Sequence, residues 1–233
     1  MKARKLVLLL LCLILIIGVC GCMKNQSEKV KVENMKSYAA NKYGRAFTVV
    51  NFLTAKDETY TNILTLSDGE YIFNVYQSGD SEMSDDYPMA VLNKKLTGNV
   101  KDKANCGCDM FANFMFANGN KITLEYAKEC EVTAVFEEYS LLKVVVVVVV
   151  NEDIPECGEE LFAVYKTVMA LNPQYIDFEV IQTKSIGSDL GNMLNNLPAF
   201  YDNDWEKHSE VVAHLSVTDT NISSPDELIK GSK

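Results

Sequence analysis

Seven consecutive valines, Val144–Val150, limit the possible folds of this chain more than any other part of its sequence. Valine is stiff at χ1 and favours extended backbone. The apolar stretch from Leu141 to Val150 is interrupted by Lys143 and is shorter than the roughly 20 residues of a membrane-spanning helix. It therefore predicts a strand covered on both faces. Because the same run would promote aggregation if exposed, the second half of the chain has to be built over it.

The residues that follow the valines can supply this cover. Apolar residues at helical spacing predict a helix over Gly158–Leu171, which Asn172 and Pro173 end. Clean alternation predicts a strand over Tyr175–Thr183, with Asp177 and Glu179 on an exposed face, at a sheet edge or over a one-sided core. Strand, helix and strand at this spacing indicate a crossover between parallel strands of an open mixed sheet.

The rest of the chain predicts further short elements. The first half begins with a helix from about Lys29 to Gly44, followed by three strands with a hairpin turn at Ser67-Asp68-Gly69. An acidic loop comes next and contains Asp80, Glu82, Asp85 and Asp86. Asp86 then caps a helix that has Pro88 in its first turn and Gly98 at its end. In the second half, residues 109–117 are predicted to form a strand that pairs across Asn118-Gly119 with 121–126, or else a short helix that Gly119 ends. The remaining predicted elements are a helix over 188–196, a strand over 210–217 and a helix from Ser224.

This order predicts an α+β fold, with helices packed on antiparallel and mixed sheets in two small subdomains. We expect an N-terminal α+β unit over 29–98, a linker rich in Lys and Asn over 99–105, and a C-terminal α+β unit over 106–233.

The N-terminus has the pattern of an export signal. Lys2, Arg4 and Lys5 precede an apolar run, Leu6–Ile17, that is too short to cross a bilayer as a helix. Val19-Cys20-Gly21-Cys22 then resembles the lipobox of bacterial lipoprotein precursors, with an aliphatic residue at −3 and the lipidated cysteine last.

This resemblance implies a signal peptide over 1–21, cleavage after Gly21, and diacylglyceryl transfer to the thiol of Cys22, with 22–28 as a short tether. Cys20 is the competing attachment site, but it would place the bulky Val19 at −1. Two or three acyl chains, at about 0.8 kcal/mol per buried methylene, give stable attachment. The expected location is the cell membrane, lipid-anchored and facing outside the cytoplasm.

Net charge limits the partners. Cleavage would remove three basic residues and move the formal charge from −10 to −13. A surface with this much negative charge repels the phosphates of nucleic acid at close range. The expected partners are the membrane, through the lipid, and another envelope protein.

Four cysteines follow Cys22 in the chain: Cys106, Cys108, Cys130 and Cys157. Outside the cytoplasm they permit two disulfides. Pairs that join Cys106 and Cys108 to Cys130 and Cys157 are favoured, because a bridge within Cys-Gly-Cys closes a strained ring. A four-cysteine zinc site is disfavoured, since the spacing lacks the Cys-x₂-Cys pairs typical of structural zinc, and no metal site is predicted.

The sequence carries no familiar catalytic motif. His208 and His214 would lie roughly 20 Å apart on a strand, too far to share a metal. The acidic loop lacks the glycine and the final glutamate of an EF-hand. Asp202, Asp204 and Trp205 form the most site-like cluster, without an assignable ligand. No catalytic residue and no cofactor are predicted.

These observations favour a non-enzymatic binding or interaction module of the cell envelope. Two alternatives are an envelope hydrolase that uses paired carboxylates such as Asp202 and Asp204, and a small solute receptor.

Overall fold

The computed structural model describes residues 28–54, 61–79, 82–116, 122–139, 142–185 and 210–230, and it has an α+β fold, as the sequence predicts. The chain divides into two compact units, 1–85 and 86–233. The first contains α1 (28–43), β1 (Thr48–Leu53), β2 (Thr61–Ser67), β3 (Ile72–Ser78) and β4 (Glu82–Asp85). The second contains α2 (Tyr87–Ala104), β5 (Asp109–Phe116), α3 (Leu124–Glu129), α4 (Val132–Glu138), β6 (Leu142–Val150), a 3₁₀ turn (Ile154–Cys157), α5 (Gly158–Met169), β7 (Tyr175–Thr183), β8 (Val211–Val217) and α6 (Pro225–Ile229).

The first unit combines α1 with an antiparallel sheet of order β1-β2-β3-β4. The predicted helix end at Gly44 is confirmed: Gly44 has φ +65°, and its N–H donates to the Ala40 carbonyl at 2.8 Å. The predicted hairpin is also confirmed. At its turn, Asp68 Oδ1 accepts the N–H groups of Glu70 and Tyr71 at 2.9 and 2.8 Å, and the Asp68 N–H donates to the Tyr71 carbonyl at 3.3 Å.

The predicted acidic loop before Pro88 is wrong for Glu82–Asp85, which form β4 against β3. The side chain of Asp85 is fully buried. Three donors on α1 compensate this carboxylate: Tyr43 at 2.5 Å, Lys42 at 2.7 Å and Tyr38 at 3.1 Å. A buried carboxylate is tolerated when it is paired and hydrogen-bonded, so an acidic segment can form a strand here.

The predicted helix end at Gly98 and the linker over 99–105 are wrong, because α2 continues to Ala104 and belongs to the second unit. Asn105 ends the helix in the left-handed conformation (φ 51°), and the Cys106 N–H donates to the Lys101 carbonyl at 3.2 Å. This is the hydrogen-bond pattern of a Schellman motif. Asp86 precedes the helix as predicted, but its side chain makes no capping hydrogen bond.

The second unit is built on the valine strand. Its sheet has the order β5-β6-β7-β8, and every side chain of Val144–Val150 is at most 5% exposed. The parallel pairing of β6 with β7 around α5 confirms the predicted crossover. Val145, Val147 and Val149 pack with Ile181 on one face of the sheet.

Two predictions for this sheet are wrong. The partner of β5 is β6, not 121–126, because 124–129 form α3, which Thr123 caps by accepting the Tyr126 N–H at 3.2 Å. The strand β7 is not at an edge; it lies between β6 and β8, and Asp177 and Glu179 are 7% and 1% exposed. Polar partners make this burial possible, since Lys143 pairs with Asp177 and β8 supplies partners for Glu179.

The last predicted elements agree with the structure where it describes them. The strand β8 and the helix α6 are present, and Ser224 caps α6 by accepting the Glu227 N–H at 3.2 Å. The helix predicted over 188–196 and the turn at Asn118-Gly119 lie outside the described residues.

Candidate functional site

Several residues singled out in the sequence lie outside the part of the chain that the structure describes: Cys22, Asp80, Asp202, Asp204, Trp205 and His208. Lipid attachment at Cys22 and the carboxylate pair of a hydrolase therefore stay predictions. Within the described ranges, no helix has the length and apolar character that crossing a bilayer requires.

The four cysteines after Cys22 are free thiols in the structure, and only some of them are neighbours. Cys106 and Cys108 lie beside Glu160 at the start of α5. Cys130 does not belong to this group, and its Sγ lies 4.0 Å from the Ala127 carbonyl oxygen. Disulfide pairing among these residues stays a prediction.

Two secondary-structure ends bring Cys106 and Cys108 to Glu160. Both cysteines lie in the short connection between the Schellman end of α2 and the first residue of β5. Glu160 lies in the first turn of α5. The two Sγ atoms and a Glu160 carboxylate oxygen all lie within 4.8 Å of one another. We call these three residues the CGC–Glu160 cluster.

Backbone hydrogen bonds fix the orientation of the CGC–Glu160 cluster. The Gly107 N–H donates to Glu160 Oε1 at 2.8 Å. The Cys108 N–H donates to Cys106 Sγ at 3.3 Å. In both bonds a backbone N–H points at an atom that is negative when ionised, either a carboxylate oxygen or a thiolate sulfur. Ligands in metal sites are oriented by hydrogen bonds of this kind.

The electrostatics of the cluster follow from burial and from nearby carboxylates. Burial raises the pKa of the Cys106 and Cys108 thiols, and Glu160 raises both further. Burial also acts to raise the pKa of Glu160, but hydrogen bonds from the Gly107 N–H and from the two thiols outweigh it, so this pKa is lowered. Burial likewise raises the pKa of Cys157, and carboxylates around it add to the effect: Glu152, Glu160, Glu156 and Asp153. These directions keep the thiols protonated and the Glu160 carboxyl ionised at neutral pH.

A second polar cluster, centred on the buried carboxylate of Glu179, joins β7 to β8. Glu179 Oε2 lies 2.5 Å from His214 Nε2, and Ser216 Oγ donates to Glu179 Oε1 at 2.9 Å. In a nucleophilic triad the imidazole lies between the hydroxyl and the carboxylate. Here the carboxylate lies between the other two groups, so the geometry satisfies a buried acid and does not activate Ser216.

The sequence predicts neither cluster. Alternation along β7 places Glu179 on an exposed face, because it does not show which residues of β8 stand opposite β7, and His214 enters the predictions only through its distance from His208. The spacing of the cysteines does not point to Glu160. The available signal was a glutamate three residues after Cys157, at the start of a predicted helix.

No protein-family model matches this chain, and no curated protein matches it. Among solved structures, it is similar to the crystal structure of a DUF5037 family protein from Ruminococcus gnavus. The TM-score is 0.48 and the identity 12%, over 80% of this chain and 89% of the other. A similarity this low transfers no function, so functional proposals for this chain rest on its own residues.

Proposed function

We propose that this protein is a lipoprotein anchored in the cell membrane through Cys22, and that its two α+β units form a non-enzymatic binding module facing outside the cytoplasm. The observation that carries the proposal is Val19-Cys20-Gly21-Cys22 at the end of a short apolar run that follows three basic residues.

The described structure supports a binding role in two ways. The buried carboxylates Asp85 and Glu179 have their oxygens occupied by hydrogen-bond donors, which stabilises the fold and does not prepare them for proton transfer. Apolar side chains of the first unit are exposed on α1 and β1: Val30, Val49, Val50 and Leu53, each between 37% and 54%. Exposed apolar surface is a feature of protein interaction sites.

Lipid attachment is tested by growing the source cells with a clickable fatty acid and comparing three forms of the full chain. We expect label on the wild type and on Cys20→Ser, and none on Cys22→Ser. The Cys20→Ser variant is the matched control, because it changes the competing cysteine and leaves the proposed lipidated residue intact. Label that depends on Cys20, or no label on the wild type, would overturn the anchor.

The binding role is tested by affinity purification from crosslinked membranes. Wild-type chain is compared with Val50→Asp on β1 and with Val212→Asp on β8. Val212 is the matched position in the other unit, because it is an exposed strand valine like Val50 (58% against 47%). We expect the same envelope protein in every wild-type and Val212→Asp preparation and its loss with Val50→Asp. No reproducible partner, or equal loss with both variants, would contradict an interaction through β1.

A further inference from the structure

We propose that Cys106, Cys108 and Glu160 form a binding site for a borderline-soft divalent cation, with Zn²⁺ as the best match. The site lies within the second unit and does not depend on the lipid anchor. It goes beyond the proposed membrane attachment and gives the binding module a ligand class of its own.

The donor atoms fit this metal. Zinc takes thiolate sulfur at about 2.3 Å and carboxylate oxygen at about 2.0–2.2 Å in tetrahedral geometry, so its donors stand roughly 3.5–3.8 Å apart. The Sγ atoms of Cys106 and Cys108 and the oxygen of Glu160 are within 4.8 Å of one another. One ion can therefore contact all three donors once the side-chain torsion angles adjust to the shorter spacing.

The ligand chemistry disfavours hard divalent cations. Two sulfurs are poor ligands for Mg²⁺ and Ca²⁺, which take oxygen. Two thiolates and one carboxylate match zinc, and three protein ligands leave a fourth tetrahedral position for water. Binding of Zn²⁺ replaces the two thiol protons, which pass to the solvent.

The surroundings also suit a metal site. The Gly107 N–H orients the Glu160 carboxylate, and the Cys108 N–H donates to Cys106 Sγ. The Schellman end of α2 holds the backbone that leads into Cys106. The ligands therefore come from ordered secondary-structure ends, and a site held this way loses little conformational entropy when it binds.

The test uses the full mature chain in detergent, reduced and freed of metal by a chelator. Zn²⁺ is titrated against a chromophoric competitor, and Co²⁺ is titrated separately because thiolate ligation produces charge-transfer absorption. We expect a single Zn²⁺ per chain and Co²⁺ charge-transfer bands. Affinity should fall at least about tenfold in Cys106→Ser, Cys108→Ser and Glu160→Gln, since loss even of an outer partner of a ligand costs that much.

Cys130→Ser is the matched control and should bind like the wild type, because Cys130 is not among the three grouped ligands. Melting curves guard against misfolding: Zn²⁺ should raise the Tm of wild type and Cys130→Ser, and raise it less in Glu160→Gln. Three results would overturn the site. The first is the absence of saturable binding, and the second is an affinity in Cys108→Ser equal to that of the wild type. The third is a protein, as isolated, whose thiols become reactive after a reductant is added but not after a chelator, which is the behaviour of a disulfide. Each is independent of fatty-acid labelling at Cys22, so failure of the site and failure of the anchor are distinguishable.

Discussion

The hydroxyl of Thr97 on α2 hydrogen-bonds to both backbone groups of Ala112 on β5: it accepts the N–H at 2.9 Å and donates to the carbonyl at 3.2 Å. One turn earlier, Asn93 Oδ1 accepts the Phe114 N–H at 2.9 Å. Because β5 is at the edge of its sheet, these side chains satisfy backbone groups that no neighbouring strand reaches. The helix thereby closes an edge that would otherwise pair with other chains.

Replacing Thr97 with valine keeps the shape of the side chain and removes both bonds. We expect the free energy of unfolding of the second unit to fall by about 1–3 kcal/mol, because two buried backbone groups lose their partner. Urea titration measures the loss. Thr133→Val, at an exposed position of α4, is the control and should stay within about 0.5 kcal/mol of wild type. An equal effect at both positions would contradict the edge contact.

Gly98 lies inside α2, where a Cβ would meet no other atom within 4 Å. Gly98→Ala should therefore raise the free energy of unfolding by about 0.5–1 kcal/mol through lower backbone entropy in the unfolded chain. Gly44→Ala should do the opposite and cost about 1–2 kcal/mol, because Gly44 has φ +65°. Thermal unfolding of both variants checks that one gains stability and the other loses it. A loss of stability in Gly98→Ala would mean that α2 does not continue past Gly98.

The pair formed by Glu179 and His214 gives a double-mutant test. His214→Leu should cost about 3–5 kcal/mol, because it leaves a buried carboxylate without one of its partners. Glu179→Leu combined with His214→Leu should cost less than the sum of the single changes, with a coupling of about 0.5–3 kcal/mol. Urea titration of the four proteins gives the cycle. Purely additive losses would show that the two side chains do not interact.

The ion pair between Lys42 and Asp85 predicts a dependence on alkaline pH. Burial acts to lower the pKa of Lys42, but the bond to Asp85 outweighs it, so this pKa is raised. A group with a raised pKa stabilises the fold below its unfolded pKa, and this contribution is lost as pH rises through the folded value. Lys42→Met should thus be less stable than wild type near neutral pH, and the difference should shrink above the ordinary lysine pKa of about 10.4.

Urea titrations of wild type and Lys42→Met at matched pH values measure that difference directly. Lys36→Met, on the same helix, serves as the control and should show a difference that stays constant over the same range. A gap for Lys42→Met that persists at high pH would contradict an ionic role for this side chain.

Local patterns predicted much of this fold. The run of valines predicted β6, the helical spacing of apolar residues predicted α5, and the alternation of apolar and polar residues predicted β7. Each of these signals lies within a single segment of the chain. The extent of α2 and the existence of β4 escaped prediction, since Gly98 and the acidic residues before Pro88 favour other structures locally. Tertiary contacts override that preference: Val100, which follows Gly98 in α2, is fully buried, and three side chains of α1 donate to Asp85 of β4.

The candidate site shows the same limit. The sequence shows Cys-Gly-Cys plainly, but spacing between cysteines does not reveal that Glu160 completes the set. That residue is distant in the chain and reaches the cysteines only because α5 begins beside the connection between α2 and β5. A site is visible in the sequence when its ligands are close together along the chain. It is not visible when the fold brings distant ligands together.

Lipid on the sulfur of Cys22 is what we propose to hold the protein at the membrane. Mass spectrometry of the N-terminal peptide, from protein made in its native host, detects this modification by its mass. The predicted result is a chain that begins at Cys22 and bears the mass of a diacylglyceryl group on its sulfur. An unmodified peptide, or one that still contains residues 1–21, would contradict it.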